Sequence, residues 1–303
     1  MNGKIVKAVS GYYYVKTEAG NIYECRARGA LKNENITPLV GDNAVFNVTD
    51  ADARTGIVNE IGPRTKVLTR PSVANVDQAV VVFAVRDPNP NLSILDRFIA
   101  LMKKQDIPTV IVFNKCDLAK GDDIKNLKKT YKDSGCRVIF TTLSGDRKKN
   151  VMQLRFALKG KISVLTGPSG SGKSTLINLL AGVKDENDQP AQVGAISSRI
   201  GRGRQTTRHN ELFTLGSGSG YSLIDTPGFS SLMVSPEDYT RDTLQQAFPE
   251  FAPYSAKCPF SDCKHVKERD CAVRSAVEDG KISSSRYNSY KAILSELKSQ
   301  EKY

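Results

Sequence analysis

The stretch Gly167-Pro168-Ser169-Gly170-Ser171-Gly172-Lys173-Ser174 decides the fold of this chain. It follows an apolar run, Lys161–Thr166, and opens a helical pattern, Ser174–Ala181. Glycines in such a strand–loop–helix turn let successive backbone N–H groups face one anion, and the helix N-terminus adds its positive end. This context disfavours the alternative of a Gly/Ser-rich turn without a ligand. We interpret the stretch as a site for nucleotide phosphates.

Two side chains of this loop and a second motif predict the metal that accompanies the phosphates. Lys173 is expected to reach the β- and γ-phosphates, and the Ser174 hydroxyl to bind Mg²⁺. Asp225-Thr226-Pro227-Gly228 follows a strand pattern, so Asp225 is expected to hold Mg²⁺ through water. Thr206 or Thr207 would complete the metal shell. The predicted phosphate contacts are Gly167, Pro168, Ser169, Gly170, Ser171, Gly172, Lys173, Ser174, Thr175 and the Gly228 N–H.

Strand and helix patterns alternate on the N-terminal side of the loop. The run Ala79–Val85 reads as a buried strand, and Leu92–Lys104 has its apolar residues on one helical face. Further strand patterns are Thr109–Phe113 and Arg137–Phe140, each followed by a helical pattern. Alternation of this kind predicts βαβ units and a parallel sheet covered on both faces.

Asn114-Lys115-Cys116-Asp117 follows one of these strands and predicts the base. The Asp117 carboxylate can accept from both N1–H and the exocyclic amine of guanine, while Asn114 can reach O6 and N7. Adenine presents the opposite polarity, and such a site rejects the wrong base by a factor of about 10⁴ or more. The stretch Thr141-Thr142-Leu143 lies where a backbone N–H supports the guanine O6. The predicted base contacts are Asn114, Lys115, Cys116, Asp117, Thr141, Thr142 and Leu143.

The N-terminal residues have a different pattern, with short β-rich runs between turn signals. Five runs in about sixty residues predict a small barrel, of which the oligonucleotide-binding type is one candidate. Tyr12, Tyr13, Tyr14 and Tyr23 either stack on bases, as aromatics in such barrels do, or fill the barrel. The pattern alone leaves both interpretations open.

Three of the six cysteines are close together near the C-terminus. Cys258, Cys263 and Cys271 span fourteen residues, and His265, one of only two histidines, lies between them. Three thiolates and one imidazole suit a closed tetrahedral Zn²⁺ site without an open position. We therefore predict one structural zinc, against the alternative of three buried thiols and an unrelated histidine.

Composition limits the class of protein. The chain of 303 residues has 44 basic and 32 acidic residues, a net charge of +12, which indicates a polyanionic partner such as nucleic acid. The start of the chain lacks the apolar segment of a secretory signal, and no apolar run approaches the roughly 20 residues of a membrane span. We expect a cytoplasmic protein without a membrane partner.

The order of the motifs is permuted relative to ordinary GTPases, in which the phosphate loop comes first. Here the base motif at Asn114 precedes the phosphate loop, which precedes Thr206 and Asp225. In this order the chain resembles the RsgA/YjeQ family of small-ribosomal-subunit-dependent GTPases. The stretches Leu95–Phe98 and Pro38–Asp42 also look like that family.

The resemblance covers the whole chain and implies its architecture. It implies an OB-like barrel at 1–66, a circularly permuted α/β GTPase domain at 71–232 and a mostly helical zinc module at 233–303. It also implies GTP hydrolysis stimulated by the small ribosomal subunit, during late maturation of that subunit. The expected partners are GTP, the small subunit and its rRNA, and we expect a monomer. The alternative is a GTP-regulated RNA-binding module in which hydrolysis is incidental.

The sequence departs from the family at the residue expected to orient water. Phe229 follows the Asp225–Gly228 motif, and a phenylalanine cannot polarise water. In the resembled family a histidine before the switch threonines is thought to act there, whereas this chain has Gln205. Glutamine can orient water but cannot take a proton at neutral pH. Gln205 is thus a candidate catalytic residue, with a solvated loop residue as the alternative.

Overall fold

The computed structural model describes residues 1–29, 31, 35–69, 71–142, 151–181, 210–215, 220–225 and 232–300. The chain forms two compact units. Unit 1 comprises residues 1–80, 147–166 and 173–228, and unit 2 comprises residues 81–146, 167–172 and 229–303. Among the described residues, no helix is both long and apolar enough to cross a membrane.

Unit 1 begins with the predicted five-stranded barrel. Its strands are β1 (Asn2–Val9), β2 (Tyr12–Lys16), β3 (Ile22–Ala27), β4 (Asn43–Asp50) and β5 (Thr55–Ile61). Antiparallel pairing of β1 with β4 closes the barrel, and β3 pairs with β5 in parallel. Alternate residues of each strand face the interior, where Ile5, Val15, Cys25, Phe46 and Val58 are buried.

The rest of unit 1 contains the strand that precedes the phosphate loop, the helix that follows it, and their neighbours. They are β6 (Val67–Leu68), β7 (Val73–Ala74), α3 (Met152–Leu158), β11 (Ile162–Thr166), α4 (Lys173–Ala181), β12 (Glu211–Leu215) and β13 (Tyr221–Asp225). Strands β11 and β13 are parallel, and β12 and β13 form an antiparallel pair. Strand β12 also pairs with β1 of the barrel, at Glu211 and Lys7. The short strands β6 and β7 were not predicted.

Strand β8 (Gln78–Ala84) runs from unit 1 into unit 2 and is buried along its whole length, as a continuous apolar run predicts. Unit 2 then contains α1 (Leu92–Lys104), β9 (Thr109–Asn114), α2 (Asp123–Tyr131) and β10 (Arg137–Phe140). Strands β9 and β10 are parallel, with Val110 opposite Arg137. The Asn91 side chain caps α1 by accepting from the Ile94 N–H.

The C-terminal part of unit 2 is mainly helical, as predicted. It contains α5 (Ala252–Ser255), α6 (Ala272–Glu278) and α7 (Ser284–Gln300). The buried rings of Phe248, Phe251 and Tyr290 form its centre, with ring centroids 5.0–5.4 Å apart. Ala100 of α1 belongs to the same buried cluster. The C-terminal helices therefore share a core with the α/β part of unit 2.

Candidate functional site

In unit 2, the phosphate loop touches the base motif through Asn114. This residue ends β9 and is fully buried. Its amide Nδ2 donates to the Ser171 carbonyl at 3.0 Å, and its Oδ1 accepts from the Thr141 hydroxyl at 2.9 Å. Because an amide carries two N–H groups, the bond to Ser171 uses half of its donating capacity. Asn114 thus fixes the loop relative to the ends of two strands, a role that its spacing in the sequence did not reveal.

The loop needs glycine at the points where it approaches the base motif and β8. Gly167 and Gly172 have φ values of 142° and 90°. A Cβ on Gly167 would lie 2.1 Å from the Val82 carbonyl oxygen, and one on Gly172 would lie 2.3 Å from Asn114 Nδ2. Both glycines are therefore required by sterics as well as by backbone conformation.

The remaining base residues follow Asn114 in a tight turn. Lys115 has a left-handed φ of 59°, and its Nζ donates to the Asp87 carbonyl. Sparsely populated conformations of this kind cluster at functional sites. The Cys116 N–H donates to the Thr141 carbonyl at 3.1 Å, and the Thr142 hydroxyl donates to Asp117 Oδ1 at 2.5 Å. The structure thus brings the predicted base residues Asn114–Asp117 into contact with Thr141 and Thr142.

One buried hydroxyl in the loop points to a ligand. Ser171 is fully buried, and among the described residues its Oγ has no hydrogen-bond partner. A buried polar group without a partner costs free energy and is unusual in a native structure. An acceptor such as a nucleotide phosphate would satisfy it. This observation is independent of the motif that located the loop.

In unit 1, the predicted phosphate ligand Lys173 and the predicted metal ligand Asp225 interact electrostatically. Lys173 begins α4, and Asp225 ends β13 opposite Leu165 of β11. Burial lowers the pKa of Lys173, and the Asp225 charge opposes that shift. A cation kept partly out of water beside a helix N-terminus is suited to a polyanion. Ser174 and Thr175 lie in the first turn of α4 and are exposed.

Several predicted site residues lie outside the described part of the chain. These are Leu143 of the base set, Gly228 of the phosphate set, the metal candidates Thr206 and Thr207, and Gln205. Their roles stay predictions.

The predicted zinc ligands of unit 2 converge on one point. The Sγ atoms of Cys258 and Cys263 lie 3.9 and 3.8 Å from that of Cys271. His265 Nδ1 lies 3.4 Å from Cys271 Sγ and 3.7 Å from Cys258 Sγ. Tetrahedral zinc, with Zn–S bonds of about 2.3 Å, separates its sulfur ligands by about 3.8 Å. The four ligand atoms fit that ion. Burial raises the pKa values of the Cys263 and Cys271 thiols, so ionised sulfur at these positions would require a cation beside it.

Two residues that the sequence did not predict, Gln245 and Glu268, hold the ligands of the cluster in place. Gln245 Oε1 lies 2.9 Å from His265 Nε2, which leaves Nδ1 for the metal. The Glu268 carboxylate accepts from the backbone N–H groups of Lys264, Val266 and Lys267 at 2.8–2.9 Å. The position of Glu268 between His265 and Cys271 was a signal that its carboxylate could bind the backbone of this loop. Nothing near Gln245 in the sequence indicates its contact with His265.

A buried ionic cluster joins the C-terminal helices to the α/β part of unit 2. Arg286 of α7 is fully buried and donates to Asp96 of α1 at 2.9 Å and to Glu250 at 2.7 and 3.1 Å. Tyr131 of α2 also donates to Asp96 Oδ1. Burial raises the pKa of Asp96, and the Arg286 charge opposes that shift. The cluster fixes the position of α7 on α1.

Replacing Arg286 with Met is expected to destabilise unit 2 by about 3–5 kcal/mol, because two buried carboxylates lose their counter-charge. The urea midpoint of unfolding measures this effect. Lys281→Met is the matched control, because Lys281 forms an exposed pair with Asp279 and its loss should change the midpoint little. Equal midpoints for the two variants would contradict the role of the buried cluster.

Comparison with known proteins adds independent information. Residues 61–235 match the family model described as RsgA GTPase, and residues 2–58 match that described as RsgA N-terminal domain. A protein from Agathobacter rectalis named small ribosomal subunit biogenesis GTPase RsgA is 40% identical over 314 residues, covering 100% of each chain. A protein of the same name from Alkaliphilus metalliredigens is 42% identical over 302 residues, covering 99% of each chain.

Solved structures match over the same length. The crystal structure of YjeQ from Thermotoga maritima has a TM-score of 0.74 and 33% identity, covering 98% of each chain. The structure of YloQ, described as a circularly permuted GTPase, has a TM-score of 0.72 and 34% identity. It covers 99% of this chain and 95% of that one. The similarity therefore extends over the stretch 258–271, which lies beyond both family models.

Proposed function

Because this chain belongs to the RsgA GTPase family, we propose that it hydrolyses GTP in the biogenesis of the small ribosomal subunit. The observation that carries the proposal is the contact of Asn114 with both the phosphate loop and the Thr141 strand end. It joins the guanine motif to the phosphate motif in the permuted order. The relatives are named GTPases, so hydrolysis is the activity, and the alternative of incidental hydrolysis is not favoured.

The proposed nucleotide contacts are those of the sequence motifs. Asp117 and Asn114 read the guanine, with the stretch Thr141–Leu143 supporting O6. The loop Gly167–Ser174, with Thr175 and the Gly228 N–H, holds the phosphates. Ser174, Asp225 and one of the two threonines at 206 and 207 hold Mg²⁺, which neutralises charge on the transferring phosphoryl group. Gln205 is the proposed water-orienting residue.

We further propose that Cys258, Cys263, His265 and Cys271 hold one zinc ion, supported by their spacing and burial. The ion stabilises residues 233–303 without taking part in the reaction. With the barrel at 1–66 and the GTPase domain at 71–232, this gives three modules, which act as a monomer in the cytoplasm. The partners are the small subunit and its rRNA, in line with the net charge of +12.

Replacing Cys263 with Ala is expected to lower the zinc content well below one ion per chain and to loosen residues from about 250 onward, because zinc binding energy is folding energy in such a site. GTP affinity should stay nearly unchanged. Elemental analysis and hydrogen exchange measure the two effects. Cys136→Ala is the control, since Cys136 lies outside the cluster. Zinc-free wild-type protein from careful purification would contradict the metal assignment.

Hydrolysis in the presence and absence of purified small ribosomal subunits tests the proposed function. We expect slow intrinsic turnover and a rate at least tenfold higher with subunits. Large ribosomal subunits serve as the control for RNA in general. Equal rates under all three conditions would contradict a subunit-dependent GTPase.

A further inference from the structure

The loop that follows β8 contacts the predicted base motif through its backbone. The Val85 N–H donates to the Asn114 carbonyl at 2.8 Å, and the Asp87 carbonyl accepts from the Lys115 ammonium. Both partners of the second contact have a left-handed backbone, with φ values of 52° for Asp87 and 59° for Lys115. Such conformations persist only where surrounding contacts hold them. The loop thus gives the predicted base lysine a defined partner.

Arg86 joins the same loop to the helix that follows the base motif. Its Nε and Nη2 donate to the two carboxylate oxygens of Asp123, the first residue of α2, at 2.6 and 3.2 Å. Asp123 Oδ2 also accepts from the Lys120 N–H at 2.9 Å. A guanidinium that binds both oxygens of a carboxylate fixes orientation as well as distance. Arg86 therefore sets the position of the loop against the turn that carries the base motif.

The loop also lies beside the phosphate loop. A Cβ on Gly170, one of the predicted phosphate contacts, would lie 3.4 Å from Pro88 Cδ. Pro88 directly follows Asp87, whose carbonyl holds Lys115. The loop of residues 85–88 therefore touches the predicted nucleotide site on its base side and on its phosphate side.

The exposure of the ion pair separates its effect on position from its effect on stability. The side chains of Arg86 and Asp123 are 37% and 27% exposed. Exposed ion pairs contribute little to the free energy of unfolding, even where their geometry is well defined. Removal of this pair should therefore leave unit 2 folded while it frees the loop and the carbonyl that Lys115 binds.

We propose that Arg86 is a positioning residue for guanine nucleotide and that it acts through Lys115. It holds the Asp87 carbonyl where the Lys115 ammonium binds it, so the lysine stem is already ordered and can cover the flat face of the base that Asp117 reads. Fixing a lysine side chain costs conformational entropy, and a stem held in advance loses less of it on binding. The inference rests on the proposed function, since it requires guanine nucleotide at this motif.

Displacement of a fluorescent guanine nucleotide by GTP tests the proposal in the full chain, as wild type, Arg86→Met, Lys115→Met and the double variant. Methionine keeps an apolar stem and removes the cation. Each single replacement should weaken GTP binding by about fivefold to tenfold, and the double variant should lose no more than either, because both changes remove the same restraint. Lys125→Met is the matched control, because Lys125 of α2 forms an exposed pair with Asp122 at 3.9 Å. Its GTP affinity should equal that of wild type.

Steady-state hydrolysis with saturating small subunits separates binding from chemistry. The Arg86→Met variant should have a raised KM for GTP and a kcat within about twofold of wild type, because only binding common to the ground state and the transition state is lost. Arg86→Lys keeps the charge without the bidentate fork, so its affinity for GTP should lie between those of wild type and Arg86→Met. The melting temperatures of all these variants should be close to that of wild type.

Three results would each overturn this inference. They are an unchanged GTP affinity in Arg86→Met, a double variant whose loss of affinity is the product of the two single losses, and a lowered kcat with an unchanged KM. If wild type failed to bind GTP, the proposed function would fall and the inference with it. Tight GTP binding by wild type together with any of the three results would overturn the inference alone.

Discussion

Replacing Asp117 with Asn is expected to lower the affinity for GTP by about a hundredfold or more and to raise the affinity for xanthosine triphosphate. We propose that the Asp117 carboxylate accepts two N–H groups of guanine. Hydrogen bonds to a charged group contribute about 1.5–3 kcal/mol each, and an unpaired buried donor adds a further penalty. Xanthine has a carbonyl oxygen in place of the exocyclic amine, so an amide N–H finds an acceptor there.

The structure indicates how the new amide would lie. The Thr142 hydroxyl donates to Asp117 Oδ1 at 2.5 Å. In the Asn variant this hydroxyl would retain the amide oxygen as its acceptor, which leaves the NH₂ group in the position of Oδ2. The NH₂ group of the variant would then face the exocyclic amine of guanine, which is also a donor. In xanthine it would face a carbonyl oxygen, which is an acceptor.

Displacement of a fluorescent nucleotide by GTP and by xanthosine triphosphate measures both affinities. Asp122→Asn is the matched control, because Asp122 lies close in sequence, is exposed and pairs only weakly with Lys125 at 3.9 Å. Its affinity for GTP should equal that of wild type. Unchanged preference in the Asp117 variant would show that Asp117 does not read the base.

Most secondary structure and the motif positions could be predicted, because they depend on local pattern. The helix Leu92–Lys104 and the strand Arg137–Phe140 have the predicted bounds. The pattern Gly167–Ser174 predicted the loop between β11 and α4. The spacing of Cys258, Cys263, His265 and Cys271 predicted side chains that could hold one metal ion, and the structure brings them together. Strands β6 and β7, with two residues each, are too short to show a periodicity.

Contacts between residues distant in sequence could not be predicted. Nothing in the sequence around Arg286 marks it as buried, yet it is among the largest fully buried side chains. Its partner Asp96 is 190 residues away, and a charged residue is buried only when such a partner exists. The contacts of Asn114 could not be predicted either. Its motif predicts a base contact, whereas its hydrogen bonds to Ser171 and Thr141 form only when the chain is folded.

Replacing Gln205 with Ala is expected to lower the subunit-stimulated rate of hydrolysis by about tenfold to a hundredfold while GTP affinity barely changes. Phe229 cannot orient water, so we propose that the segment with Gln205, Thr206 and Thr207 holds the attacking water. An interaction made only in the transition state lowers kcat without weakening binding. The intrinsic rate should be slow in both proteins.

The expected stimulation by small subunits rests on the sequence around Gln205. Fixing a residue costs about 1–2 kcal/mol of conformational entropy, and glycines raise that cost. Gly201 and Gly203 precede Gln205. The arginines at positions 199, 202, 204 and 208 are predicted to bind rRNA phosphates, and these contacts would offset the entropy cost of fixing the Gln205 side chain. Added salt weakens phosphate contacts, so it should remove the stimulation before it affects GTP binding.

Single-turnover hydrolysis with saturating small subunits, at low and high salt, measures both effects for wild type and Gln205→Ala. Gln153→Ala is the matched control, because Gln153 is exposed on α3 and lies outside the motifs. Full stimulated turnover in the Gln205 variant would show that backbone groups, or a residue supplied by the ribosome, orient the attacking water. A residue that contacts the attacking water should change the stimulated rate of hydrolysis alone. A tenfold loss of that rate in the Gln153 variant as well would therefore show that the effect is not specific to position 205.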